Sequence, residues 1–132
     1  MKYILCFGNK YLEKDNIALK VSDMLKKEGR LKDFEFIECA GSEELFNYLD
    51  KNFFVLDAVE GINKVMYIND KFLSNKINVS VHDFDLGFFI RLIRKIGRKE
   101  RIPIIGIPLN YDNEMAKQEV IKILNSLDKK SK

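Results

Sequence analysis

Two short apolar runs limit the folds that this chain can adopt. Residues 53–56 (FFVL) and 102–107 (IPIIGI) contain no charged or hydrogen-bonding side chain. A strand of this kind is buried on both faces, which is typical of a parallel sheet covered by helices. Residues 2–7 (KYILCF) predict a similar first strand that closes in a turn at Gly8-Asn9. The runs therefore favour a sheet with helices packed on it.

Helical segments alternate with these strands. Residues 15–28 place Ile17, Val21 and Leu25 four residues apart, and Gly29 supplies a helix stop. Ser42 is the candidate cap of a second helix through Leu49. Two further strands are predicted over residues 34–39 and 64–69. Two further helices are predicted over residues 84–96 and 114–127. This order predicts a three-layer α/β/α sandwich around a mostly parallel sheet of about five strands. Residues 64–69 (KVMYIN) alternate, which indicates an edge strand.

Length and composition exclude several classes of protein. The chain has 132 residues, of which 46% are hydrophobic and 33% charged, so we expect one domain over residues 1–128 and a frayed basic tail over 129–132. No apolar run approaches the roughly 20 residues that span a bilayer, and residues 1–10 lack the pattern of a signal peptide, so we expect a cytoplasmic protein with no membrane partner. A net charge of +3 gives no reason to expect a nucleic-acid partner. Cys6 and Cys39 fall in strands and are expected to be buried thiols.

Polar residues follow the predicted strands, where the loops of such sheets bind ligands. Asn9 and Asp15 follow the first strand, Asp57 ends the third, and His82 lies in the first turn of a helix. Two carboxylates and an imidazole could hold zinc, nickel or manganese. The same residues have a simpler interpretation, in which Asp15 and Asp57 cap backbone amides and His82 is a surface or capping residue.

Four segments together resemble one protein family. Residues 8–17 (GNKYLEKDNI) resemble the Gly-Asn-x-x-x-x-acid-acid-Gly-x-Gly opening of the hydrogenase maturation endopeptidases. Residues 55–59 (VLDAV), 80–86 (SVHDFDL) and 104–108 (IIGIP) resemble that family's strand end, helix start and final strand, in the same order. The chain departs from the pattern at Lys14, where an acid is usual, and at Ala18, where a glycine is usual.

The resemblance implies a function, a partner and a site. That family removes a C-terminal extension from the nickel-loaded large-subunit precursor of a [NiFe] hydrogenase, which would be the partner. The implied nickel-binding and catalytic residues are Asp15, Asp57 and His82. Nickel would arrive with the precursor, and a surrogate divalent ion such as zinc or cadmium could occupy the site. The resemblance also implies a mixed sheet with one antiparallel strand, for which residues 64–69 are the candidate.

Two other classes of protein fit parts of the sequence. A response-regulator receiver domain would use Asp57 as a phosphate acceptor, but it needs acids after the first strand and a lysine after the last, and this chain lacks both. A non-catalytic α/β module that binds a metal or a small molecule is the other alternative.

A basic stripe is predicted on the helix that follows His82. It is either a solvated face or a docking surface for an acidic patch on the partner, with Phe84 and Phe88 as anchors. Its cations follow helical spacing and are Arg91, Arg94, Lys95 and Arg98.

Overall fold

Five strands form a single mixed sheet. A computed structural model describes residues 1–8, 16–39, 42–69, 94–97 and 102–130. The strands are β1 (Lys2–Cys6), β2 (Phe34–Glu38), β3 (Phe53–Val59), β4 (Met66–Asn69) and β5 (Pro103–Pro108). Their order in the sheet is β2-β1-β3-β5-β4, and all neighbours are parallel except β4 and β5, which are antiparallel.

The sheet confirms the predicted α/β fold class. β3, which begins with the apolar run at residues 53–56, occupies the centre of the sheet, as a strand buried on both faces should. The antiparallel strand lies within residues 64–69, where the alternating pattern predicted it, and it is an edge strand of this sheet.

Two α-helices pack on one face of the sheet. They are α1 (Ile17–Glu28) and α2 (Asn113–Lys130), and a 3₁₀ helix (Ser42–Tyr48) connects β2 with β3. Gly29 ends α1 as predicted, because its left-handed backbone (φ 67°) directs its N–H to the carbonyl oxygen of Leu25 at 3.2 Å. Asp112 caps α2, since its carboxylate accepts a hydrogen bond of 2.8 Å from the backbone N–H of Met115.

Alternation along the strands divides the core into two clusters. Ile4, Cys6 and Leu56 lie on the side of α1 and α2, whereas Leu5 and Val55 lie on the opposite side with the 3₁₀ helix. All five are 0% exposed. Full burial of a leucine or isoleucine contributes about 1.5–3 kcal/mol, so both faces of the sheet contribute substantially to the stability of the fold.

Two predicted boundaries were wrong, and the helix predicted after Ser42 is of the 3₁₀ type. The segment after Ser42 is a 3₁₀ helix and not an α-helix; its inward residues Leu45 and Tyr48 are three apart, which matches the three residues per turn of a 3₁₀ helix. β3 continues to Val59, because its pairing with β5 extends beyond Asp57. α2 continues to Lys130, so part of the predicted tail at residues 129–132 is helical.

Other predictions fall on residues outside the described ranges. Of the predicted helix over residues 84–96, only the end is described, where Arg94 and Lys95 are helical. The remaining part of the basic stripe and both phenylalanine anchors lie outside. Among the described residues, no helix has both the length and the apolar character needed to cross a bilayer.

An ion-pair cluster joins the end of α1 to the beginning of α2. The ammonium of Lys117 lies 2.5 Å from a carboxylate oxygen of Glu28 and 2.9 Å from one of Glu114, and Arg30 also pairs with Glu28. Hydrogen bonds from Lys117 lower the pKa of both glutamates and raise the pKa of Lys117 itself. The cluster therefore contributes to stability only while its carboxylates and its ammonium are charged.

These pKa shifts predict how stability depends on pH. A lowered glutamate pKa gives stability above about pH 4.5, the ordinary value, and this stability is lost as the pH falls through the lowered pKa. We expect Lys117→Met to lower the Tm by about 2–5 °C at pH 7 and low salt, and by much less at pH 3. Thermal melts at both pH values measure the difference, with Lys122→Met, an exposed lysine of the same helix, as the control. Equal Tm losses at pH 7 and pH 3 would contradict a role for the ion pairs.

Candidate functional site

Asp57 is a buried carboxylic acid in the central strand. It is the fifth of the seven residues of β3 and is 1% exposed. Its side chain lies on the same face as Val55 and Val59, since alternate residues of a strand share a face. The Asp57 Oδ1 accepts a hydrogen bond of 2.9 Å from the backbone N–H of Ala58. Asp57 thus lies near the carboxyl end of β3. The sequence had predicted that Asp57 would be the last residue of this strand.

Gly106 lies beside Asp57 in the sheet. It is in register with Asp57 on one side and with Met66 on the other. A Cβ atom at this position would lie 2.9 Å from Cγ2 of Val59 and 3.3 Å from Cδ1 of Ile62. A glycine therefore allows β3 and the turn that follows it to pack closely against β5. It also leaves the position next to the Asp57 side chain without a neighbouring side chain.

The end of β1 reaches the same edge of the sheet as Asp57. The N–H of Phe7 donates a hydrogen bond of 3.0 Å to the carbonyl oxygen of Leu56, which brings Gly8 alongside the carboxyl half of β3. Parallel strands thus bring the end of β1 and the carboxyl half of β3 to the same edge of the sheet. Asp15 and His82, the other two predicted site residues, lie outside the described ranges.

Groups of potential metal ligands are absent from the described part of the chain. Within the described ranges, no three His, Cys, Asp or Glu side chains are grouped closely enough to hold a metal ion. Asp57 is therefore the member of the predicted nickel-binding set whose surroundings are known.

A polar cavity opens at the carboxyl edge of the sheet, between the first turns of α1 and α2. Its volume is about 560 Å³. It is lined by Asn16, Ile17, Lys20, Asn110, Tyr111, Asp112 and Asn113. The sequence analysis did not identify these residues. The polar stretch NYDN, directly after the final strand, was the signal that could have indicated them.

The two cysteines are free thiols, as predicted. Both are buried, and they lie on opposite faces of the sheet, Cys6 with α1 and Cys39 with the 3₁₀ helix. Burial raises the pKa of Cys6 to about 12 and raises the pKa of Cys39 as well. A thiol that stays protonated is a poor nucleophile, so neither cysteine is suited to covalent catalysis.

Comparison with known proteins supports the fold. The chain is similar to a solved structure described as "The crystal structure of an uncharacterized protein from Wolinella succinogenes", with a TM-score of 0.60 and 16% sequence identity. The match covers 99% of each chain. No family model and no curated protein matches the sequence. At this identity the likeness extends to the fold alone.

The packing at Gly106 leads to a prediction about stability. We expect Gly106→Ala to destabilise the protein by about 1–3 kcal/mol, because the added methyl group would overlap with Cγ2 of Val59. The Val59→Ala background removes that atom, so the same glycine substitution should cost less there. Denaturant unfolding of the two single variants and the double variant measures this coupling. Strictly additive effects would mean that contact with Val59 is not the reason for the glycine.

Proposed function

We propose that this protein is an endopeptidase that removes the C-terminal extension of a nickel-loaded [NiFe] hydrogenase large subunit. The observation that carries the proposal is the position of Asp57. A buried carboxylic acid in the central strand, at the edge that Phe7 reaches after β1, agrees with the role that the four sequence motifs give it. The antiparallel edge strand β4 also agrees with the mixed sheet that the resemblance implies.

In this proposal nickel is part of the substrate. Asp57, together with Asp15 and His82, would complete the coordination of the nickel ion that the precursor carries. Their role would be to recognise the loaded precursor and to hold the scissile peptide bond in place. A water molecule would add to the carbonyl carbon, the C–N bond would break, and the leaving amine would take up a proton.

The environment of Asp57 is suited to such a role. Its carboxylate is anchored on one side by the N–H of Ala58 at 2.9 Å. The neighbouring position in β5 is Gly106, which has no side chain to compete for the same space. A carboxylate held in one orientation binds a metal ion without first losing side-chain freedom.

The main alternative is a non-catalytic module that binds a metal or a small molecule with the same residues. Either class would use these residues for binding, but only the endopeptidase would shorten the precursor. Cleavage therefore distinguishes the two classes.

The test is to mix the protein with nickel-loaded or nickel-free precursor and to measure processing by the change in mass of the large subunit. We expect only the nickel-loaded form to be cut, because the empty form lacks the ion that the three residues bind. Asp57→Asn keeps the size of the side chain and removes its charge, and His82→Ala removes the only nitrogen ligand. Each should slow processing by at least about 100-fold.

Glu60→Gln is the matched control for Asp57→Asn. Glu60 is exposed and lies three residues further along, in the turn after β3. The same change of charge there should leave processing unchanged. Melting temperatures of all variants separate loss of function from loss of fold. Equal cleavage of both precursors, or full activity of a folded His82→Ala protein, would overturn the proposed function.

A further inference from the structure

We propose that the cavity between α1 and α2 binds a peptide segment that bears a carboxylate, with Lys20 as its charge partner. This inference rests on the proposed function, because it gives the cavity a part of the peptide substrate as its ligand. The carboxylate has two possible sources with the same chemistry. It is either the C-terminus of the extension or an acidic side chain within it.

The first argument is the size and polarity of the cavity. Its volume of about 560 Å³ falls within the range of about 300–1,000 Å³ that is usual for ligand sites. Three of the residues that line it are asparagines, namely Asn16, Asn110 and Asn113. A side-chain amide can donate and accept hydrogen bonds, which is what the main chain of an extended peptide requires.

The second argument is the charge of Lys20. This lysine lines the cavity from α1, is partly buried, and forms no ion pair with any residue in the described part of the chain. Lys117 of α2, by contrast, contacts two carboxylates, those of Glu28 and Glu114. Asp112 is the acid in the cavity lining, but its Oδ2 accepts a hydrogen bond from Met115 and serves as the cap of α2. An incoming carboxylate would give Lys20 a partner.

The third argument is that part of the cavity wall is fixed in place. The hydroxyl of Tyr111 donates to the carboxylate of Glu119, with both oxygens at 2.9 Å, and this interaction raises the pKa of Tyr111. Asn110 adopts a left-handed backbone (φ 58°), which asparagine tolerates better than most residues. A fixed wall binds a peptide with a smaller loss of conformational entropy.

The location links the cavity to the proposed reaction. Asn16 directly follows Asp15 in the sequence, and Asn110 follows β5, whose Gly106 pairs with Asp57. A peptide in the cavity would therefore lie near the carboxyl edge of the sheet, on the face opposite the Asp57 side chain. The cavity would hold one side of the scissile bond while the metal ion fixes the other.

The test uses three short peptides and NMR spectra of the ¹⁵N-labelled full chain. The first peptide is acetylated tetra-alanine with a free C-terminal carboxylate, and the second is the same peptide amidated. The third is acetylated Ala-Glu-Ala-Ala, also amidated, which carries only a side-chain carboxylate. We expect at least one carboxylate peptide to shift the signals of Asn110, Tyr111 and Asn113, and the neutral peptide to shift them far less.

Variants of Lys20 test its part in binding. Lys20→Met keeps the length of the side chain and should weaken binding of the carboxylate peptide about fivefold, as expected for one partly exposed ion pair. Lys20→Arg keeps the charge and should bind nearly as well as the wild type. Lys122→Met changes the charge on an exposed face of α2 and should have no effect.

The outcomes separate this inference from the proposed function. Shifts by the free-terminus peptide alone would identify the chain end as the ligand, and shifts by the glutamate peptide alone would identify an internal acid. Equal shifts by the neutral peptide, absence of shifts in the cavity, or unchanged affinity in Lys20→Met would overturn the inference. Cleavage of nickel-loaded precursor without peptide binding would leave the proposed function standing, whereas peptide binding without cleavage would overturn only the proposed function.

Discussion

The structure depends on the burial of β3 between β1 and β5. Residues 55–59 of this strand are between 0% and 1% exposed, and they contribute to the cores on both faces of the sheet. Removal of a carboxylate from water costs several kcal/mol unless hydrogen bonds or opposite charges compensate for the loss. Asp57 is the ionisable residue within this stretch. Such a departure from apolar core packing is what the proposed role of Asp57 would account for.

The sequence predicted the sheet well because its strands have distinct patterns. The unbroken apolar run at the start of β3 predicted a central strand, and the alternation over residues 64–69 predicted an edge strand. Boundaries that depend on tertiary pairing were less predictable. Asp57 resembled a strand end when only its own segment was considered, but Val59 pairs with Pro108 of a distant segment, and this contact extends β3 by two residues. Similarly, the sequence indicated a helix after Ser42, but it did not indicate that this helix is of the 3₁₀ type.

Less of the candidate site than of the sheet could be predicted from the sequence. The position of Asp57 at the carboxyl half of a central strand followed from the sequence, since parallel strands bring their carboxyl ends together. The cavity could not be predicted from the sequence, because its residues belong to two segments about ninety positions apart, around Asn16 and around Asn110. Asn16 lies within the motif at residues 8–17, but Lys20, Asn110, Tyr111 and Asn113 belong to none of the quoted motifs. Only the packing of α1 against α2 on one face of the sheet brings these segments together.

The two proposals together explain how one small domain could select a single bond in a large partner. A metal ion held by Asp57 and its predicted partners would be one attachment point, and a peptide held by Lys20 would be a second. Two weak contacts on the same substrate reinforce each other, because the first raises the effective concentration of the second. A precursor without nickel would keep only the peptide contact and would bind weakly. Likewise, a free peptide would lack the metal contact. Selectivity would then come from the requirement for both contacts, and neither contact alone would need high affinity.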